Sequence, residues 1–348
     1  MPRVLIGMSG GVDSSVSAML LKEQGYEVIG ATMKLWCENS KEMVEDAKRV
    51  CNILGIRHEV FDLQETFKNC VVNPFIEEYW NARTPNPCIQ CNKELKFGSF
   101  YKKALELGCD YISTGHYAST CFSEEYKRYV LKKSKTEAKD QTYFLYGIPK
   151  EVLGKMIFPL ENYHDKDEIR RLAKERNLPV ASKPDSQEIC FIHDNNYIRF
   201  LQENSNKLPK QGNIVDENGT ILGKHKGLIY YTIGQRKGLG IAYKEPLYVV
   251  KLDPKENNVI VGTQEKLYQK ELYANEMNWL LFDKLERPME VKAKIRYRAK
   301  EADAIVYPLE EEGRVKVIFK DSQRAITPGQ SVVFYQGDMV VGGGKIIE

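Results

Sequence analysis

The stretch Val4-Leu-Ile-Gly-Met-Ser-Gly-Gly-Val-Asp-Ser-Ser15 decides the reading of this chain. Val4 to Ile6 is a short apolar run of the kind that forms a buried strand in a parallel sheet. Gly10 and Gly11 follow, and then Val16, Met19 and Leu20 at helical spacing, so a strand, a glycine turn and the first turn of a helix are expected in succession. Two glycines let the backbone take positive φ and let a ligand come close, because no Cβ intervenes. The helix start offers unpaired N–H groups and a positive dipole end, with Ser9, Ser14 and Ser15 as further hydroxyl donors. Together these make a phosphate seat, set against the plainer reading of an ordinary strand–turn–helix corner. It is not a Walker A loop, since the GxxxxGK(S/T) spacing is absent and no lysine stands near. Asp13 is unwelcome beside an anion unless a metal or a hydroxyl intervenes.

Outward from that loop, 348 residues leave room for two or three domains. A hydrophobic share of 42% with 28% charged residues fits a soluble globular chain. No apolar run approaches the ~20 residues that cross a bilayer. The N-terminus enters a strand directly, so no signal peptide and no membrane partner are expected, and a cytoplasmic location is read. Eight cysteines in so long a chain do not make a disulfide framework. Close pairs in a leaderless chain point instead to metal or catalytic thiols. A net charge of +3 does not announce a nucleic-acid binder, so the basic residues are judged locally.

Along the chain, Gly25 reads as the αL stop of the first helix. Strands are expected at Glu27–Trp36 and Arg57–Leu63, and a helix from about Ser40 to Leu54 takes Cys51 into its apolar stripe. Thr66–Tyr79 reads as a helix that Pro74 should break or kink. Alternating strands and helices predict a doubly wound parallel α/β sheet, with ligands beyond the carboxyl ends of its strands. The segment Asn81–Asn92, NARTPNPCIQCN, is expected outside regular structure, with a helix from Lys93 to Leu107 after it. Its C-x-x-C pair, Cys88 and Cys91, reads as half of a zinc site, but no second C-x-x-C exists to complete it. A redox pair is the other option, in a context unlike the thioredoxin unit. Asp110–Tyr117 reads as a strand that delivers Gly115 and His116 to the ligand side, followed by a hairpin from Thr120 to Leu131. Lys132, Lys133, Lys135 and Lys139 form either a solvated loop or phosphate contacts.

Asp165 with Glu168 makes an Asp version of the capping box, opening a helix to Asn177. Cys190 lies between Ile189 and Phe191, which suits a core, but follows the polar Asp185, Ser186, Gln187 and Glu188, which suits a loop near a site. From about Leu208 turn signals and short β runs replace helical periodicity. The expected units are 1–204, the nucleotide-binding catalytic domain; 205–271, a small central β-rich module; and 272–348, a C-terminal barrel or sandwich. The run Val291–Lys300 alternates, with Lys292, Lys294, Arg296 and Arg298 on one face. Such a row attracts a phosphate backbone or guards a solvated edge.

The pattern SGGVDSS resembles the PP-loop of the ATP pyrophosphatases, which implies ATP, with magnesium, cleaved to AMP and pyrophosphate. With TPNP-x-x-x-CN, STGHY, KDQTYFL, DSQEICFI, IGQRKGLGI and TPGQSVVFY, the chain from its first strand to its last resembles the bacterial tRNA-specific 2-thiouridylase family, MnmA. The resemblance implies adenylation of the uracil C2 oxygen of the wobble uridine in tRNA, then replacement by sulfur. It implies nucleotide contacts from Gly7, Met8, Ser9, Gly10, Gly11, Val12, Asp13, Ser14, Met33 and Gly115. By family position Cys190 carries a persulfide, and Cys91 is the partner thiol, leaving a Cys91–Cys190 disulfide to be reduced. Thiols near a helix start and cations are expected to be partly thiolate. Asn86, Pro87 and Cys88 would touch the target base, while His116, Lys139, Asp140, Gln141, Arg296, Tyr297 and Gln330 match tRNA-contact positions. Strand alternation would put Arg296 and Tyr297 on opposite faces unless the strand end twists or bulges. A cysteine desulfurase or relay protein would supply the sulfur. Cys88 stands where many members carry Asp, so Cys88, Cys91 and Cys190 could instead ligate a 4Fe–4S cluster with one open iron. Cys37, in a segment short for the family, reads as a spare thiol.

Overall fold

The structure is a computed structural model that describes residues 1–36, 40–163, 165–183, 189–311 and 313–348. The readings made on Cys37 and on Asp185–Glu188 lie outside these residues.

Three sheets make up the fold. The first takes strands β1 (Arg3–Gly7), β2 (Glu27–Lys34), β3 (Arg57–Asp62), β4 (Tyr111–Ser113) and β7 (Met156–Ile157) in the order β3-β2-β1-β4-β7, all parallel. Helix α1 (Val12–Glu23) follows β1 directly and stops at Gly25, which takes φ +87°. Helix α2 (Ser40–Leu54) buries Cys51 fully against Gly30 of β2, where a Cβ would stand 2.6 Å from the sulfur. The strand order reverses on the two sides of β1, so a crevice opens between the carboxyl ends of β1 and β4, the usual ligand position in such a sheet.

The stretch with Pro74 departs from expectation. Helix α3 (Gln64–Phe67) runs into a π-turn (Lys68–Val72) and on into α4 (Asn73–Trp80) without a break. The widened turn places Pro74 in the first turn of α4, where its missing N–H costs least. Asn81–Asn92 is likewise not wholly irregular. Asn86 caps a short helix α5 (Pro87–Cys91), with Pro87 at its first position, and a π-turn (Asn92–Ser99) carries it into α6 (Phe100–Glu106). The C-x-x-C pair is therefore inside the helical run and not ahead of it.

The hairpin β5 (Ser119–Ser123) and β6 (Arg128–Lys132) is not a free excursion. It joins the C-terminal sheet, where Met339 pairs with Lys132, and Lys132 and Lys133 form ion pairs with Asp338 (2.7 Å) and Glu301 (2.6 Å). That sheet contains β12 (Tyr268–Trp279), β13 (Met289–Lys294), β14 (Ala302–Pro308), β15 (Val315–Arg324), β16 (Ser331–Gln336) and β17 (Met339–Ile346), and a β12–β17 pairing closes these six into a barrel. In chain order, a four-stranded sheet of β8 (Gly212–Val215), β9 (Ile221–His225), β10 (Tyr248–Asp253) and β11 (Asn258–Gly262), in the order β10-β11-β8-β9, comes between the two. The first sheet and the barrel share one apolar core, in which Leu5, Phe100 and Tyr143 pack with Leu280, Val333, Tyr335 and Val340. No described helix is long and apolar enough to cross a membrane.

The expected strand Val291–Lys300 ends at Lys294. Arg296 and Tyr297 lie in the turn after it, so alternation does not force them apart, and the row of four cations on one strand face does not form. Lys292 is held by Asp303 across the β13–β14 pair (2.5 Å).

Candidate nucleotide and thiol site

The loop after β1 is built as its residues require. Gly10 takes φ +68°, and a Cβ there would stand 3.0 Å from the Met43 carbonyl oxygen. The serines brace the loop from within. Ser14 Oγ donates to Gly11 O (3.1 Å), Ser15 Oγ to the same oxygen (2.8 Å), and the Ser9 amide donates to Ser14 Oγ (3.2 Å). Gly11, at the N-cap of α1, gives no side-chain cap, which leaves first-turn amides and the dipole for an anion. Gly115, just past β4, presses on this turn: a Cβ there would stand 2.7 Å from Ser14 N and 2.9 Å from Asp13 C. The Met33 side chain reaches the Gly7 end of the same wall.

Asp13 has two partners that sequence reasoning missed. Tyr117 Oη donates to its Oδ1 (2.9 Å) and Lys166 Nζ to its Oδ2 (2.6 Å). A hydroxyl and an ammonium thus hold the carboxylate beside the phosphate seat. The only signal in the sequence was the misfit of an acid at that place.

The thiols approach from the other side. Cys88 N donates to Asn86 Oδ1 (3.2 Å), fixing the start of α5, on which Pro87 is buried. Cys91 is 8% exposed and packs in an apolar cluster with Phe67, Phe75 and Phe191. Ile189 joins the same cluster, so Cys190, between Ile189 and Phe191, borders the cluster that holds Cys91, 99 residues earlier in the chain. Each of Cys88, Cys91 and Cys190 is electrostatically close to Lys96, and Cys190 to both other thiols. Lys96 Nζ in turn lies 3.5 Å from His116 Nε2. Packing and hydrogen bonding therefore run from Ser14 through Gly115 and His116 to Lys96, whose charge is felt by the three thiols.

Cys88 and Cys190 have exposed surface, whereas Cys91 is buried. Desolvation raises the pKa of all three thiols, that of Cys190 to about 12, and outweighs the opposing charge of Lys96. The expected thiolate character is absent for this reason: one cation does not compensate for the loss of water. Burial, then Lys96, also pushes His116 well below the ordinary histidine range. Lysine can only donate, so His116 Nε2 accepts from Lys96 and Nδ1 carries the proton toward Thr114 Oγ1, 2.8 Å away. Lys96 was not singled out from the sequence.

The expected RNA-contact residues are largely engaged with the protein itself. Gln141 Oε1 accepts from the Tyr117 amide (2.9 Å). Asp140 is buried, accepts from Thr142 Oγ1 (2.6 Å), and is raised in pKa by burial. Tyr297 packs on Phe144 with ring centres 4.4 Å apart, and the Phe144 carbonyl accepts from Asn92 Nδ2 (2.9 Å) beside Cys91. Arg296 donates to the Arg324 carbonyl (2.8 Å) and to that of Ala325, and Gln330 Nε2 to the Thr84 carbonyl (2.7 Å). Lys139 closes a short 3-10 turn ahead of Asp140. Among the described residues no three His, Cys, Asp or Glu side chains converge to hold a metal ion.

A glycine loop at the reversal point of a parallel sheet defines a nucleotide-binding α/β domain of the HUP class, and residues 2–194 match a family model described as the tRNA methyl transferase HUP domain. Residues 198–263 match its PRC-barrel domain, and 269–346 an aminomethyltransferase β-barrel domain. The chain belongs to the tRNA-specific 2-thiouridylase family: it is 54% identical to the tRNA-specific 2-thiouridylase MnmA of Acetivibrio thermocellus, with 99% of both chains covered. It is 54% identical to that of Halothermothrix orenii, covering 100% of this chain and 99% of the relative. The Clostridioides difficile protein of the same name is 51% identical over 99% of this chain and 98% of its own.

Proposed function

We propose that this protein thiolates C2 of the wobble uridine of tRNA, spending ATP to AMP and pyrophosphate. The observation that carries the reading is the join of the nucleotide loop through Gly115 and His116 to Lys96, whose charge reaches Cys91 and Cys190. An oxygen at C2 leaves poorly; transfer of AMP onto it makes a good leaving group. The first-turn amides of α1 and the braced loop Gly7–Ser14 hold the phosphates, with Met33 and Gly115 lining the nucleotide, and the displaced pyrophosphate departs past the helix start. Asn86, Pro87 and Cys88 receive the flipped uracil. The outer sulfur of a Cys190 persulfide replaces AMP at C2 as Cys91 attacks the inner sulfur, which leaves a Cys91–Cys190 disulfide for a reductant. A persulfide is a stronger acid than its parent thiol, so the high pKa of free Cys190 favours a resting thiol and a reactive loaded form. His116, Lys139, Asp140, Gln141, Arg296, Tyr297 and Gln330 line the approach of the tRNA, and a desulfurase or relay protein loads Cys190. The setting is the cytoplasm.

Magnesium fits only as a companion of the nucleotide phosphates, because both oxygens of Asp13 are already engaged by Tyr117 and Lys166. An iron–sulfur cluster is the second reading, favoured by three thiols within electrostatic reach of one another. Cys88, Cys91 and Cys190 would be its ligands, and it would supply an open iron for sulfide. As placed, the three do not converge on one ion, so no step is derived through it.

The test is 2-thiouridine formation by mass spectrometry with AMP release, for the wild type and for Cys91→Ser and Cys190→Ser. Each variant should make no 2-thiouridine while binding tRNA within a few-fold of wild type. Full thiolation by the double variant would point to adenylating chemistry without sulfur transfer through these residues.

A further inference from the structure

The segment between α4 and α5 makes little regular structure of its own, so its place is set by what it binds. The barrel supplies that. The Thr84 amide donates to Pro328 O (2.9 Å), and Gln330 Nε2 donates to Thr84 O (2.7 Å), so one barrel turn engages both backbone polar groups of Thr84. Between these bonds lies Gly329, with φ +91°, whose absent Cβ would stand 2.9 Å from Thr84 N and 3.0 Å from Thr84 C and O. A second tie lies upstream. Glu78 of α4, 14% exposed at its side chain, pairs with Lys345 of β17 at 3.0 Å and with Arg83 at 3.5 Å. Downstream, Asn86 caps the helix that carries both Cys88 and Cys91.

We propose that the barrel turn 327–331 positions α5, with Gln330 as the positioning residue, so that RNA docked on the barrel and the thiols of α5 are coupled through Thr84. Gln330 then has two partners to serve, the Thr84 carbonyl and the RNA that approaches the same turn. RNA drawing on Gln330 shifts the Asn81–Asn86 segment and, through the Asn86 cap, the sulfur of Cys91. The inference rests on the thiolation reading for its kinetic meaning, and on the backbone contacts alone for its structural meaning.

Gln330→Leu, which keeps the bulk and removes the donor, tests it by two readouts. The Thr84 amide keeps its own bond to Pro328 O, but with the tie at the Thr84 carbonyl lost the segment opens more readily, so exchange of that amide in the full-length protein should quicken about five-fold, the worth of one hydrogen bond of ordinary strength. Thiolation kcat should fall by a similar factor with the melting temperature retained, while any rise in KM for tRNA reads the lost RNA contact separately. Unchanged exchange with a raised KM would make Gln330 an RNA contact alone and overturn the proposal. Faster exchange with unchanged kcat would also overturn it, since the segment would then not govern the thiols. A wild-type protein that forms no 2-thiouridine would refute the functional reading, while the exchange result would still decide whether the turn holds the segment.

Discussion

Gly115→Ala puts the nucleotide seat under the most direct strain the structure offers. The added methyl would stand 2.7 Å from Ser14 N and 2.9 Å from Asp13 C, both backbone atoms of the first turn of α1, where ordinary contact begins at 3.4 Å. The two walls of the crevice must part by about 0.7 Å, with no flexible side-chain end to yield. Overpacking of this kind costs about 1–3 kcal/mol. Gly115 has no positive φ, so the whole cost is spatial and falls on the join between the β4 loop and α1. If the bound nucleotide requires that join closed, ATP affinity falls by roughly 5- to 140-fold. Any part of the cost already present without nucleotide lowers the melting temperature by a few degrees. Titration calorimetry with a non-hydrolysable ATP analogue, paired with a thermal melt, separates the two. Wild-type affinity with a wild-type melt would refute the reasoning, because a methyl would then fit where no room is seen.

Two further outcomes are expected. Cys88→Asp should leave thiolation within a few-fold of wild type if Cys91 and Cys190 suffice; loss of activity together with loss of iron and labile sulfide from anaerobically prepared protein would favour the cluster. Stability should be greatest between about pH 6.5 and 9. Burial holds His58, His116 and His225 below the ordinary 6.5, so the stability they lend is complete above 6.5 and is lost as pH falls. Burial raises Cys51, to about 12, and Cys109 above the ordinary 9.0, so their share is complete below 9 and is lost as pH rises. Urea midpoints measured across pH 5–10 check both signs, and a midpoint that climbs steadily to pH 10 would contradict the second.

The parallel sheet and its loop were legible because they rest on local rules. Val4–Ile6, Gly10 and Gly25 each have one physical reading, and Asp165 caps its helix by accepting from the Glu168 amide at 2.7 Å. What stayed hidden depends on distant partners or on rare helical geometry. Cys91 was expected outside regular structure, and five residues along an α-helix turn about 140° away from the start, so nothing in the sequence joined it to Lys96. The π-turn over Asn92–Ser99, with bonds five residues apart, changes that spacing, and no residue type announces it. Asp13 finds Lys166 across 153 positions of sequence, and Gln330 finds Thr84 across 246. The supposed cation row failed because alternation was carried past Lys294 into a turn, where period-two reasoning no longer applies.

The ribbon of β5 and β6, which leaves the first sheet and pairs with β17, bears on how such a protein can be dismantled. Tyr143 donates to the Ser331 carbonyl at 2.9 Å and Asn278 to those of Tyr146 and Ile148 at 2.7 and 3.0 Å, so the seam is bonded as well as apolar. A cassette comprising only the C-terminal sheet would expose Val333 and Tyr335 where Phe100 and Tyr143 had covered them, and would be prone to precipitate. Inheritance of that sheet by an unrelated chain would therefore require a matching ribbon and a matching apolar surface to arrive with it.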